Sequence, residues 1–204
     1  MEKTTLYIDI ETIPSEEAPA FKGLVPPKTY KKPESIERWK VEAQAAAWKK
    51  QALESTQGFI VCIGLAKDEE DAQVFTSVAQ FRDFVIQAKE EHLLINFVAH
   101  NIEFDRLFLF HAALKNNMPD LAAILSGKFG DTFTCTMDLF APFVWKYRIS
   151  LKKLATFLEV PQHKEDCDGG KVWDMFKEGK LQDIYNYCKK DVELTRNCYY
   201  KLLY

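Results

Sequence analysis

Residues 4–12 read TTLYIDIET and combine a strand pattern with two acidic side chains. Apolar and β-branched side chains predict a strand from Thr4 to Ile10, and its period of two places Asp9 and Glu11 on the same face. Two carboxylates so close repel each other unless a cation or a proton lies between them. A solvated strand edge with two chance acids needs no metal. Acids embedded in a core-like strand favour a metal site.

Alternating elements follow along the chain. The proline-punctuated segment 14–53, helical from Ser35, is predicted to be an insertion between the first two strands of a single domain spanning residues 1–204. The order predicts an α/β protein with a central mixed β-sheet flanked by helices on both faces, for which the ribonuclease H-like fold is one solution. Further strands are predicted at 59–65, 73–77, 93–98 and 132–139, and further helices at 78–90, 101–115, 151–158 and 181–203.

Composition limits the function classes. The 204 residues are 47% hydrophobic and carry a net charge of −3, which argues against nonspecific coating of nucleic acid through many basic side chains. Five cysteines without a CxxC pair predict a reducing, cytoplasmic location. Since no signal peptide and no apolar stretch of about 20 residues is present, no membrane partner is expected.

A second acidic motif lies where a buried strand ends and a helix begins. It runs from Asn101 to Asp105, and strand ends are where α/β proteins build sites. In a purely structural interpretation, Asn101 caps the helix and Asp105 is a first-turn acid that the helix dipole favours. Phe104 and Leu107 are expected to tie Asp105 to the core side, which favours a functional carboxylate.

A third motif lies in the last predicted helix. Tyr187 and Asp191 are four residues apart, so they stack one turn apart on a single helix face that borders the core stripe. Tyr187 can therefore reach whatever Asp191 binds. Taken alone, a tyrosine beside a hydrogen-bonding acid is also a common structural pair.

The order of the three motifs resembles the DEDD superfamily of 3′-to-5′ exonucleases. Asp-x-Glu, Asn-x-x-Phe-Asp and Tyr-x-x-x-Asp follow one another across the chain, and Tyr187 is typical of the DEDDy subgroup. Nearly the whole chain is similar to predicted stand-alone exonucleases related to the proofreading domain of family-B DNA polymerases. One departure is the spacing from Asn101 to Phe104, which is one residue shorter than the usual proofreading pattern and leaves the branch open.

The resemblance implies two divalent cations, Mg²⁺ or Mn²⁺, which oxygen ligands suit. Asp9 is implied to bridge both ions. Glu11 and Asp191 are implied to share the ion that carries the attacking water, and Asp105 to support the other. Tyr187 is implied to orient that water.

The resemblance also implies a substrate, the 3′ end of single-stranded nucleic acid, with DNA favoured and nucleoside 5′-monophosphates released. Main-chain atoms of Ile10 and Thr12, together with Asn101 and Phe104, are implied to contact the terminal nucleotide. Two alternatives stay open: a 3′-to-5′ exoribonuclease, and a catalytically silent nucleic-acid-binding protein of the same fold. A polymerase or another replication or repair protein is a possible partner.

Two basic clusters admit two interpretations. Each combines cations with a tyrosine and could track a single strand, with aromatic rings stacking on bases, or could be a solvated face. The first contains Lys28, Tyr30, Lys31 and Lys32, and the second contains Lys146, Tyr147, Arg148, Lys152 and Lys153.

Overall fold

A five-stranded mixed sheet forms the centre of the protein, as a computed structural model describes it for residues 3–19, 25–145, 147–162 and 169–203. The strand order is β3-β2-β1-β4-β5. β1 pairs antiparallel with β2 and parallel with β4, β2 is antiparallel to β3, and β4 is parallel to β5. The strands are β1 (Lys3–Ile13), β2 (Phe59–Lys67), β3 (Gln73–Phe75), β4 (Leu94–Ala99) and β5 (Thr132–Cys135).

Helices cover both faces of this sheet. They are α1 (Pro33–Lys50), α2 (Val78–Glu91), α3 (Ile102–Lys115), α4 (Pro119–Leu125), α5 (Thr136–Phe140), α6 (Leu151–Phe157), α7 (Val172–Lys177) and α8 (Leu181–Leu203). One face packs against α2, α3 and α4 around the largest core cluster, and the other packs against α7 and α8. The predicted α/β architecture of the ribonuclease H-like type is confirmed.

The two faces of β1 carry different side chains because the strand alternates. Leu6, Ile8 and Ile10 are buried in the cluster that α2, α3 and α4 share. Tyr7 and Ile13 are buried in the clusters that contain residues of α8. Asp9 and Glu11 have the same parity as Tyr7, so both acids lie on the α8 face.

β1 is longer than its pairing with β4. That pairing runs from Lys3 to Tyr7, which lies opposite Val98, whereas β2 pairs with β1 as far as Ile13. Beyond Tyr7, the backbone groups of β1 on the β4 side therefore have no strand partner. The chain leaves β4 at this same edge and enters α3, which brings the start of α3 beside the end of β1.

α8 lies very close to β2 at Gly64, which pairs with Asp9 across the strands. A Cβ atom on Gly64 would lie 2.8 Å from Cys188 Sγ and 2.8 Å from Val192 Cγ2. Those distances are far below van der Waals contact, so only glycine allows this approach. The absent side chain lets α8 bring its own residues beside Asp9.

One predicted strand is wrong in its second half. The expected strand 132–139 ends at Cys135, and the chain continues as α5. A short apolar run does not distinguish strand from helix by periodicity. α4 and α7 were not predicted, because each is a single short segment of six or seven residues.

The segment between β1 and β2 contains α1 and a 3₁₀ turn at Gln51–Leu53, and no residue of α1 is buried. The single-domain assignment stays a prediction. Within the described ranges, no helix combines the length and apolarity that a membrane crossing requires.

Candidate metal centre

β1 contributes two acids at the end of the sheet where α3 begins. Glu11 is 6% exposed, and its strand shifts register against β2 directly after it, between Glu11 and Thr12. Such a bulge re-aims side chains at a strand end. Asp9 Oδ2 is buried and has no hydrogen-bond partner among the residues described.

α3 contributes a third acid from its first turn. Asp105 is 2% exposed, and its Oδ1 accepts a hydrogen bond from the backbone N–H of Ile10 at 3.1 Å. This N–H lies where β1 extends past β4 and has no strand partner. The contact fixes the Asp105 carboxylate beside the backbone between Asp9 and Glu11.

α8 contributes the fourth acid and the tyrosine. Tyr187 and Asp191 lie one turn apart, as the i, i+4 spacing predicts, and close enough that each acts on the pKa of the other. Tyr187, Asp191 and Lys152 of α6 line one cleft. Because Gly64 allows α8 to approach, this pair reaches the Asp9 side of the sheet.

The charges of the four acids act on one another. Burial raises the pKa of Asp9 well above its usual range, and the neighbouring charges of Glu11, Asp191 and Asp105 raise it further. Burial, followed by the charges of Asp191, Cys62 and Asp105, does the same for the pKa of Glu11. The four carboxylates therefore lie close enough to repel one another, with Glu11 and Asp105 buried and Asp9 and Asp191 half-buried.

Burial also dominates at the two acids that the helices supply. It raises the pKa of Asp105 to about 8 and raises the pKa of Asp191. At Asp191, the Tyr187 hydroxyl and the positive charge of Lys152 act against that increase in pKa. In the described part of the chain, no Lys or Arg forms a salt bridge with any of the four acids.

These features fit a divalent cation. Asp9 Oδ2 is an acceptor without a donor among the described residues, the neighbouring charges raise the pKa values of Asp9 and Glu11 in addition to burial, and oxygen ligands suit Mg²⁺ and Mn²⁺. Ligand atoms of Asp9, Glu11 and Cys188 lie within 4.8 Å of one another.

Cys188 and Lys152 are neighbours of the site that the sequence did not point to. Cys188 belongs to the core stripe of α8, yet its Sγ lies 3.5 Å from the backbone oxygen of Asp9, as a donor to it. The sequence feature that could have identified Cys188 as a neighbour of the site is its position directly after Tyr187. Lys152 belongs to a basic cluster that reads equally well as a solvated face, and only the packing of α6 brings its charge near Asp191.

The four residues expected to contact substrate have distinct environments. Ile10 already donates its N–H to Asp105, and Thr12 Oγ1 donates to the backbone oxygen of Ala52 at 2.6 Å. Asn101 precedes α3 in a left-handed conformation, with φ of 69°, and its side chain makes no capping hydrogen bond. The purely structural interpretation of Asn101 as a side-chain cap is therefore wrong.

Phe104 serves the core in part. Its ring lies 4.8 Å from that of Phe108, measured between centroids, and it packs against the main core cluster while remaining partly exposed. The structure thus places Asn101 directly before α3 and Phe104 in its first turn, next to Asp105. The expected core role of Leu107 is wrong, because its side chain is 49% exposed. Of the second basic cluster, Lys146 lies outside the described residues.

Comparison with known families gives one match. Residues 125–204 match the model of a family described as predicted 3′-5′ exonucleases related to the exonuclease domain of PolB. The resemblance found in the sequence motifs is thereby confirmed over this part of the chain, which contains Tyr187 and Asp191. No curated protein sequence matches the chain.

Proposed function

We propose that the protein is a metal-dependent 3′-to-5′ exonuclease that hydrolyses single-stranded nucleic acid, with DNA favoured, and releases nucleoside 5′-monophosphates. One observation carries the proposal: four carboxylates from β1, α3 and α8 lie together, two of them buried and two half-buried, and none forms a salt bridge with a Lys or Arg of the described residues. The family matched by residues 125–204 supports the same reaction class.

Asp9, Glu11, Asp105 and Asp191 would hold two divalent cations, Mg²⁺ or Mn²⁺. Such a pair supplies activation of water near neutral pH and stabilisation of the leaving 3′ oxygen. Asp9 is the central ligand in this proposal, because the charges of all three other acids act on it. The hydrogen bond from Ile10 N–H fixes Asp105, so this acid keeps its orientation before a substrate arrives.

Tyr187 positions the water and does not remove its proton. Burial and the charges of Asp191 and Glu11 raise the pKa of its phenol above the usual value, so the hydroxyl is protonated at neutral pH. A protonated hydroxyl one helix turn from Asp191 can hold a water molecule beside that carboxylate. We therefore assign Tyr187 to orientation of the nucleophile.

The substrate end of the site consists of Asn101, directly before α3, and Phe104 in the first turn of that helix. The Asn101 side chain makes no capping bond, which leaves its amide for a terminal nucleotide. The exposed part of Phe104 can contact a sugar or a base.

Free cysteines that are buried are compatible with the proposed cytoplasmic location; they are Cys62, Cys135, Cys188 and Cys198.

The test is the release of nucleoside 5′-monophosphates from 3′-labelled single-stranded DNA and RNA in Mg²⁺, Mn²⁺ or EDTA. We expect stepwise loss from the 3′ end with either metal and none with EDTA, with DNA cleaved faster. Faster cleavage of RNA would favour the exoribonuclease. A folded, metal-loaded protein that cleaves neither polymer would contradict the proposal and favour a silent binding protein.

A further inference from the structure

Two aromatic side chains in one loop are almost fully exposed. Phe143 is 97% exposed and Trp145 is 88% exposed, and Val144 between them is 55% exposed. Large aromatic residues bury more apolar area than most others, so a pair held in water points to an interaction surface. We call Phe143, Trp145 and the neighbouring Tyr147 the aromatic loop.

The aromatic loop is held in place at both ends. Val144 N–H donates to Ala141 O at 3.1 Å, and Tyr147 N–H donates to Val144 O at 3.2 Å, which makes two successive turns. The ring of Tyr147 lies 5.9 Å from that of Phe140. Phe143 and Trp145 therefore lie in turns that backbone hydrogen bonds close.

His100 attaches the end of this loop to the metal-centre edge of the sheet. Its Nε2–H donates to Ile149 O at 2.8 Å, and its Nδ1 lies 2.8 Å from the hydroxyl of Thr136. His100 directly precedes Asn101, and Asp105 follows within one turn of α3. The segment that connects the aromatic loop to α6 therefore lies beside the first turn of α3.

The other side of the loop reaches the same site. α6 follows it, and Lys152 of α6 lines the cleft that Tyr187 and Asp191 also line. The chain from the aromatic loop to Lys152 therefore flanks the metal centre from the α3 side to the α8 side.

The charge of this stretch fits one class of partner. Residues 139–158 contain four Lys or Arg and no Asp or Glu, in a chain whose net charge is −3. Cations beside exposed aromatic rings suit a single strand, whose phosphates need positive charge and whose bases offer flat surfaces for stacking. A partner that offers only acidic side chains would have no flat surface on which the exposed rings could stack.

We propose that Phe143 and Trp145 are a stacking platform for the unpaired bases that precede the scissile bond in single-stranded nucleic acid. Arg148, Lys152 and Lys153 supply positive charge for the intervening phosphates. The proposal rests on the proposed exonuclease function and adds a binding surface to it. Because the rings stack without reading base edges, the platform accepts any sequence.

The experiment measures binding of a fluorescein-labelled dodecamer of thymidylate by fluorescence anisotropy, in EDTA so that no hydrolysis occurs. We compare the wild type with the double variant Phe143→Ala/Trp145→Ala. We expect the double variant to bind roughly tenfold more weakly, as the loss of base stacking predicts. Trp145→Phe alone should bind within about twofold of the wild type, because a ring remains.

Phe129→Ala is the matched control. Phe129 is 52% exposed but lies before β5, at the opposite end of the parallel strands, so its loss should leave binding unchanged. A second substrate, with abasic sites in place of the bases near its 3′ end, should bind equally weakly to the wild type and the double variant. Equal affinity of both proteins for the thymidylate dodecamer would overturn the platform.

The outcome separates the two proposals. A binding difference in a protein that hydrolyses nothing in Mg²⁺ would retain the platform and contradict the exonuclease. Hydrolysis by a wild type whose affinity equals that of the double variant would retain the exonuclease and contradict the platform.

Discussion

Acidic side chains lie at both ends of the parallel strands, but within the part of the chain that the structure describes, only at one end does an acid have a basic side chain as its salt-bridge partner. Before β5, Asp131 is buried, and its Oδ1 lies 2.5 Å from Lys89 Nζ and accepts the N–H of Ile95 at 2.9 Å. At the other end, four acids meet around Asp9, and no Lys or Arg in the described ranges forms a salt bridge with them.

The difference separates a structural acid from a functional one. A buried carboxylate that already has a protein cation stabilises the fold through its partner, and removing it leaves that partner buried and unpaired. A cluster of carboxylates without a protein cation is costly until an external cation binds. Substitutions of Asp131 and Asp9 are therefore expected to have different effects on activity and stability.

The largest expected effect is on hydrolysis. Asp9→Asn should lower kcat on single-stranded DNA by about 10³-fold or more, because a central metal ligand loses its charge. Asp131→Asn, the matched control at the other end of the strands, should keep kcat within about threefold of the wild type at a temperature where it is folded. The measurement is single-turnover release of nucleotide. Equal losses in the two variants would show that the ends do not differ in function.

The second effect is on folding, and the two substitutions should have opposite signs. In EDTA, Asp9→Asn removes repulsion and should raise the free energy of unfolding. Asp131→Asn leaves Lys89 without its carboxylate and should lower it by about 1–3 kcal/mol. Urea denaturation at pH 8 measures both. If metal-free Asp9→Asn is less stable than the wild type, Asp9 is a structural acid after all.

The third effect sharpens the role of α8 at the metal-centre end. Gly64→Ala adds a methyl group where Cys188 and Val192 leave no room, so α8 must shift, at a cost of about 1–3 kcal/mol. We also expect kcat to fall roughly tenfold, since Tyr187 and Asp191 move with the helix. Gly169→Ala, where a Cβ meets nothing within 4 Å, is the control. Unchanged kcat in Gly64→Ala would show that the position of α8 does not limit catalysis.

The smallest effect is on the pH dependence of stability. The folded-state pKa of Asp105 is raised to about 8, above the value near 3.9 expected in the unfolded chain, so the folded state binds the extra proton. Stability is then greatest at low pH and falls as pH rises through this window. In EDTA, Tm should be roughly 5 °C lower at pH 8 than at pH 5.5. Mg²⁺ should raise Tm more at pH 8 than at pH 5.5, and an equal increase at both would contradict the account.

The sequence predicted the frame of the fold because most elements have clear periodicity. β1, β2, β4, α2, α3 and α8 lie within a few residues of the expected bounds. The second half of the strand 132–139 could not be separated from a helix, since the apolar run is short and α5 completes it. α4 and α7 are too short for a periodic signal.

The candidate site was predictable in its acids but not in its surroundings. Spacing alone placed Asp9 with Glu11, and Tyr187 with Asp191, because both pairs obey local geometry. The bond from Ile10 N–H to Asp105 could not be predicted, since it depends on β1 extending past β4. The role of Gly64 could not be predicted either. It depends on how α8 packs, and a single glycine within a strand pattern does not indicate that packing.

The number of manganese ions that the protein binds depends on whether the four acids form a metal centre. Titration of the metal-free protein with Mn²⁺ at pH 7.5, followed by the electron paramagnetic resonance signal of the free ion, counts the ions bound per chain. We expect two in the wild type and in Asp131→Asn, and fewer than two in Asp9→Asn. Binding that is absent from the wild type, or equal in all three proteins, would contradict the assignment of the four acids as a metal centre.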